Sequence, residues 1–220
     1  MKVNHFRDRV HAGQLLAGQL MQYADREDVI VLGLPRGGVP VACEVAEKLH
    51  APVDVLVVRK LGLPGWEELA MGALASGGVR VINQEVVRSA GISHAAIETA
   101  VARESRELQR RELAYRGHTG VPEIEDKTVI LIDDGIATGS TVKAAVLALQ
   151  QQEPARIIIA VPTAAPDACA MLEPMVDELI ALLQPDEFRA VGQWYEDFSQ
   201  TTDDEVTECL AKAMPPHQPR

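Results

Sequence analysis

The sequence predicts an α/β fold: an open, mostly parallel sheet flanked by helices. Three observations carry that expectation. The run 129–132, Val-Ile-Leu-Ile, is apolar and largely β-branched with no alternation, as a central parallel strand covered on both faces should be. Further candidate strands at 29–33, 53–58, 157–161 and 178–183 are interleaved with helix-periodic stretches, which gives the βα alternation of a parallel sheet. Finally, Gly-containing turns with charged or hydroxyl side chains follow two of the strands, at the carboxyl ends where open α/β sheets bind ligands.

In chain order, residues 10–23 have the spacing of an amphipathic helix before the first strand, 29–33. A tight basic turn, Leu34-Pro35-Arg36-Gly37-Gly38, leads into a helix over 39–50. The next strand, 53–58, ends at Arg59 and Lys60. After it comes a Gly/Pro-containing stretch, 61–72, read as a mobile loop whose Glu67 and Glu68 flank a hinge. Segments 73–75 and 79–82, separated by Ser76-Gly77-Gly78, predict a short β-hairpin bracing that loop. A long helix is expected over 93–116: Ser93 can cap it. Arg103/Glu107, Glu107/Arg111 and Glu112/Arg116 have the i, i+4 spacing of exposed ion pairs on a solvated face. Past the 129–132 strand, Val142, Ala145, Val146 and Leu149 follow i, i+3, i+4, i+7 spacing and predict a helix. Strands 157–161 and 178–183 come next, with Pro166 suited to the first turn of the helix between them. One domain over 1–214 with a frayed Pro-rich tail, 215–220, is expected.

The most informative segment is Val129 to Thr141. Asp133 and Asp134 emerge where the strand ends, and neighbouring carboxylates can accept hydrogen bonds from vicinal ribose hydroxyls or hold a divalent cation. Gly135, Ile136, Ala137, Thr138, Gly139, Ser140 and Thr141 then form a turn entering a helix. Gly135 and Gly139 allow close approach of backbone amides to an anion, Thr138, Ser140 and Thr141 add hydroxyl donors, and the helix dipole favours a phosphate. An ordinary Asp-Gly turn would explain Asp134-Gly135 but not the hydroxyl cluster. Upstream, Gly37 and Gly38 permit positive φ and Arg36 can bind phosphate bidentately, although Gly-Leu-Pro-Arg-Gly-Gly alone is also an ordinary turn.

The 129–141 segment resembles the signature of type I phosphoribosyltransferases, and the turn at 34–38 is similar in placement to that family's pyrophosphate loop. The resemblance covers most of the chain and points to a less characterised bacterial branch. It implies the fold just described with a small hood subdomain formed by the N-terminal helix and C-terminal segment. It also implies phosphoribosyl diphosphate as substrate, Mg²⁺ as cofactor and a nitrogenous base or other small nucleophile as acceptor. Catalytic roles would fall on Asp133, Asp134, Arg36 and Lys60, with Arg59 as a further leaving-group contact. Gly37, Gly38 and the residues from Gly135 to Thr141 would bind substrate, and Asp133 and Asp134 would approach Mg²⁺ directly or through water. Asp134 is the first choice to stabilise positive charge developing on the sugar. Dimers are a common default for such folds. A non-catalytic regulator that binds phosphoribosyl diphosphate or a nucleotide is the alternative, and a hydrolase is a weaker third.

Bulk properties limit the field. The chain has 220 residues, 47% of them hydrophobic, enough for one sizeable core with an appended subdomain. A formal net charge of -11 argues against non-specific binding of nucleic acid or anionic membranes, so a polyanionic substrate needs local cations. Cys43, Cys169 and Cys209 lack CxxC spacing and an even count, which suits reduced thiols in a cytoplasmic protein. The six histidines, His5, His11, His50, His94, His118 and His217, show no metal-ligand spacing. Aromatic residues are scarce, yet Phe188, Trp194, Tyr195 and Phe198 cluster near the C-terminus. They could stack on a planar base or anchor the C-terminal segment to the domain.

Overall fold

A computed structural model describes residues 5–117 and 120–213. Five parallel strands form the main sheet: β1 (Val29–Gly33), β2 (Val53–Val55), β6 (Thr128–Ile132), β7 (Arg156–Thr163) and β8 (Glu178–Leu183), in the order β2-β1-β6-β7-β8. The strand residues are buried from both sides because alternate side chains serve two cores. Ile30, Leu32, Val129 and Leu131 pack on one face with α5 (Ser140–Gln150) and α6 (Pro166–Leu172). Val29, Val31, Ile130 and Ile132 pack on the other with α1 (Arg9–Gln19) and α2 (Gly38–Leu49). That double cover explains the continuous apolar runs.

Register places the functional edge. Val29 pairs with Thr128 and Gly33 with Ile132, so β1 and β6 end level and the chain leaves both strands side by side. Leu34 N–H donates to the Ile132 carbonyl at 2.8 Å, stitching the two departing loops at their roots.

The region after β2 departs from expectation. β2 stops at Val55, and Leu56 still bonds the Gly33 carbonyl. Val57 and Ser76 then exchange hydrogen bonds, and the chain enters a second sheet. That sheet is antiparallel, with order β3-β4-β5: β3 (Val58–Leu63), β4 (Trp66–Ala75) and β5 (Val79–Ile82). The segment 61–72 is therefore a hairpin and not the expected loop. Pro64-Gly65 supplies its turn, with Gly65 at φ 82°, the left-handed conformation that glycine takes without penalty. Burial of Leu61, Leu63 and Met71 holds it down. The β4–β5 pair is the hairpin expected at 73–82.

Helices α3 (Gln84–Ser89), α4 (His94–Arg116) and α5 pack around this sheet. α4 is capped by Ser93, whose hydroxyl accepts the Ala96 N–H at 3.2 Å. The shorter α3 precedes it, and α7 (Asp203–Ala213) packs against α2 and α4; neither α3 nor α7 was expected. The face of α4 is not wholly solvated. Its last residue, Arg116, is buried and bonds Asp54 at 2.9 and 3.0 Å, Ser76 Oγ and the Val55 carbonyl, so α4 is tied to the end of β2. Glu107 pairs with Arg110 and Arg111, and Glu112 with Arg116. Among the described residues no helix is long and apolar enough to cross a membrane. The expected frayed tail, 215–220, lies outside the described residues.

Candidate functional site

Strand β6 delivers Asp133 and Asp134 to the sheet edge. Both carboxyls are half-buried, with the Asp134 side chain 15% exposed. The Asp134 N–H donates to Asp133 Oδ1 at 2.9 Å, and the two side chains interact directly. Burial pushes the Asp133 carboxyl well above the usual range, and the neighbouring Asp134 charge adds to it. Asp134 is also pushed up by burial, with Arg9 pulling the other way.

The basic turn lies against this doublet. Backbone N–H groups of Gly38 and Val39 close the turn onto Leu34 and Arg36, opening α2. A Cβ built on Gly37 would sit 1.9 Å from Asp134 Oδ2, and one on Gly38 would sit 2.7 Å from the Ile132 carbonyl and 2.8 Å from Asp133 Cα. Only glycine allows the two loops to touch so closely. Arg36 projects from the same turn with its Nη1 4.0 Å from Asp203 Oδ1, at the start of α7.

The hydroxyl-rich turn forms the third wall. Ile136 N–H and Ala165 N–H tie the turn to Thr163 and Ile136 carbonyls at 2.9 and 2.8 Å, fixing it on β7. Gly139 takes φ 71° and caps α5. Ala137, Thr138, Ser140 and Thr141 are exposed, and among the described residues no acceptor takes the amides of Ala137, Thr138 or Gly139. With the free first-turn amides of α5, they make a concave set of donors suited to a phosphate.

Arg36, Gly37, Gly38, Asp133, Asp134 and the turn from Gly135 to Thr141 thus share one edge. Arg59 does not join them. It belongs to β3, where its Nη2 lies 2.7 Å from Oε2 of Glu104, a residue buried on α4, a bond between β3 and α4. Lys60 faces the other way. It is two residues beyond Val58, which packs into the core shared with Leu34, Ile136 and Val142, so strand alternation places Lys60 on the Val58 face of β3 and Arg59 on the opposite one. Glu67 and Glu68 fall within β4, and their side chains lie outside the description.

Sequence reasoning missed Arg9. Its Nε and Nη2 each lie 2.8 Å from Asp134 Oδ2, its Nη1 donates to the Ser199 carbonyl at 2.7 Å, and its Cζ sits 4.1 Å from the centre of the Phe198 ring. Tyr195 Oη donates to the Asp134 carbonyl at 2.6 Å. Tyr195 and Phe6 are buried together, and the segments around them exchange backbone hydrogen bonds, Phe6 N–H to the Trp194 carbonyl and Glu196 N–H to the Phe6 carbonyl, both at 2.8 Å. The aromatic cluster is therefore an anchor joining the N- and C-terminal segments behind the doublet. Nothing local to Arg9 signals this, although Asp8, whose Oδ1 accepts the His11 N–H at 2.7 Å, marks the start of its helix.

Divalent-cation chemistry fits the donor set in a limited way. Among the described residues no three His, Cys, Asp or Glu side chains converge as a metal cage. Mg²⁺ commonly binds through one or two carboxylates plus waters and substrate oxygens, for which Asp133 and Asp134 are the hard oxygen donors at this edge.

A parallel sheet with a donor-rich turn and an acidic pair at its carboxyl edge is an arrangement suited to a phosphorylated ligand. The phosphoribosyl transferase domain model matches residues 6–180, and the chain belongs to that family. A Mycobacterium tuberculosis H37Rv protein named "Putative phosphoribosyl transferase" is 46% identical over 209 residues, covering 94% of this chain and 47% of that protein. The chain thus spans about half the length of the curated relatives it matches. The crystal structure of TT1426 from Thermus thermophilus aligns with a TM-score of 0.87 at 40% identity, covering 96% of this chain and all of that one. At 13% identity, AQ2163 from Aquifex aeolicus shares the fold, with a TM-score of 0.52 over 92% of this chain and 84% of that one.

Proposed function

We propose that this chain binds phosphoribosyl diphosphate and transfers its phosphoribosyl group to a nitrogenous base or other small nucleophile, releasing diphosphate. The supporting observation is the meeting of two loops at the ends of β1 and β6, with Gly37 pressed against Asp134. In this reading the amides and hydroxyls from Gly135 to Thr141 hold the 5-phosphate, and the two carboxyls accept the ribose hydroxyls. Arg36, together with Lys60, stabilises charge gathering on the diphosphate as its bond to the anomeric carbon breaks. A nitrogen lone pair then forms the new bond from the opposite face. Asp133 and Asp134 are the residues that would hold Mg²⁺, which when bound would supply charge neutralisation on the diphosphate.

Of the two carboxyls, Asp134 is the better stabiliser of positive charge on the sugar, because Arg9 favours its ionised form while burial pushes Asp133 well above the usual range. The test is titration calorimetry with phosphoribosyl diphosphate and Mg²⁺, followed by diphosphate release across a panel of bases. Binding with release under one acceptor is expected. Binding without release under any acceptor favours the regulator, and no binding removes both readings.

A further inference from the structure

Arg9 is held as few surface arginines are. Its side chain is 12% exposed, three of its nitrogens are engaged, and an aromatic ring lies beneath its guanidinium. Both donors directed at the doublet converge on one oxygen, Asp134 Oδ2, and leave the carboxyl plane little freedom to turn. Its seat comes from the C-terminal segment, through Phe198 and the Ser199 carbonyl, and Tyr195 fixes the Asp134 backbone from the same side. Without the guanidinium, Asp134 Oδ2 would lose both of the side-chain donors that hold it. Vicinal hydroxyls at fixed spacing require acceptors at fixed spacing.

We propose that Arg9 is the positioning residue of the Asp133–Asp134 pair: seated on Phe198 and the Ser199 carbonyl, it fixes the Asp134 carboxyl so that the pair selects a sugar phosphate carrying both ribose hydroxyls. This deepens the phosphoribosyl reading above and rests on it. Charge alone does not meet the requirement, because a lysine cannot reproduce the planar fork that grips one oxygen while stacking on a ring.

The experiment compares calorimetric affinities of the full chain for ribose 5-phosphate and 2-deoxyribose 5-phosphate. A hydroxyl lost opposite a charged, partly buried acceptor weakens binding by about 10-fold or more, so the chain should prefer the ribose form by that factor. Arg9→Met keeps the length of the side chain on Phe198 and should bring the preference to within about 2-fold, with Arg9→Lys intermediate. Phe198→Leu, which removes the seat and leaves Arg9 in place, should lower the preference without abolishing it, and serves if Arg9→Met does not fold. A merely structural Arg9 would weaken both ligands alike and keep their ratio, and that result overturns the assignment. An unchanged preference in both Arg9→Met and Phe198→Leu overturns it as well. Wild type binding neither sugar phosphate, or both equally, overturns the ribose reading itself, an outcome visible before any variant is made.

Discussion

The phosphate turn and the brace behind Asp134 meet at one carboxyl, yet they are assembled in opposite ways. The turn is nine consecutive residues, Asp133 to Thr141, folded by a strand end and a helix start. In the brace, Arg9 comes from 125 positions before Asp134 and Tyr195 from 61 after it, brought together by pairing of the two terminal segments. The difference separates two tasks. Groups that touch a phosphate can be backbone amides, which a short segment presents wherever its φ/ψ angles allow. Groups that hold a carboxyl at one angle must be side chains approaching from outside the segment, because neighbours along a turn cannot reach around it.

The largest effect expected of any change is on the contiguous half. Asp133→Asn combined with Asp134→Asn should remove calorimetric binding of phosphoribosyl diphosphate, a loss of about 1,000-fold or more from two charge-assisted contacts. Undiminished binding would detach the ribose from the doublet altogether. Next comes a long-range contact of the same kind as the brace, Arg116 with Asp54. Arg116→Met leaves a buried carboxylate unpaired and should cost about 3–5 kcal/mol in denaturant unfolding. An Asp54→Asn partner change that restores much of that loss would show the penalty to be the stranded charge.

Smaller effects sharpen the boundary between the two halves. Gly37→Ala places a methyl group where Asp134 Oδ2 now lies, so affinity should fall by about 10-fold, roughly 1.4 kcal/mol, while the unfolding midpoint moves little. Lys60→Ala should slow diphosphate release, whereas Arg59→Ala should leave release unchanged and destabilise the β3–α4 contact by about 1 kcal/mol. The reverse pattern would mean that the register of β3 does not direct Lys60 at the substrate. Smallest of all is the surface pair Arg26–Asp28, where the arginine holds the Asp28 carboxyl down to about 2. A depressed carboxyl stabilises the fold above its ordinary range, and that contribution disappears as pH falls through about 2. Asp28→Asn should therefore lower the thermal midpoint slightly at neutral pH and make no difference below pH 2.

The main sheet was legible because its inner strands β1, β6 and β7 are wrapped on both faces, which writes apolar runs such as 129–132 directly into the chain. Ser93 announced α4 and Pro166 announced α6 for equally local reasons. The hairpin at 58–75 was misread because Gly62, Pro64, Gly65 and Gly72 look like loop composition, while pairing and burial of Leu61, Leu63 and Met71 decide otherwise. The pairing of Arg59 was hidden as well, since its partner Glu104 lies on a helix 45 positions away.

The sequence by itself determined the sheet, the acidic doublet and the anion-binding turn, because strand burial, adjacent carboxyls and helix-start amides are properties of contiguous residues. Only the tertiary structure decided that Arg9 grips Asp134, that Phe6 and Tyr195 anchor the aromatic segment, and that Arg59 pairs with Glu104. Those outcomes depend on which distant side chains packing delivers to one small volume, and no local pattern encodes that.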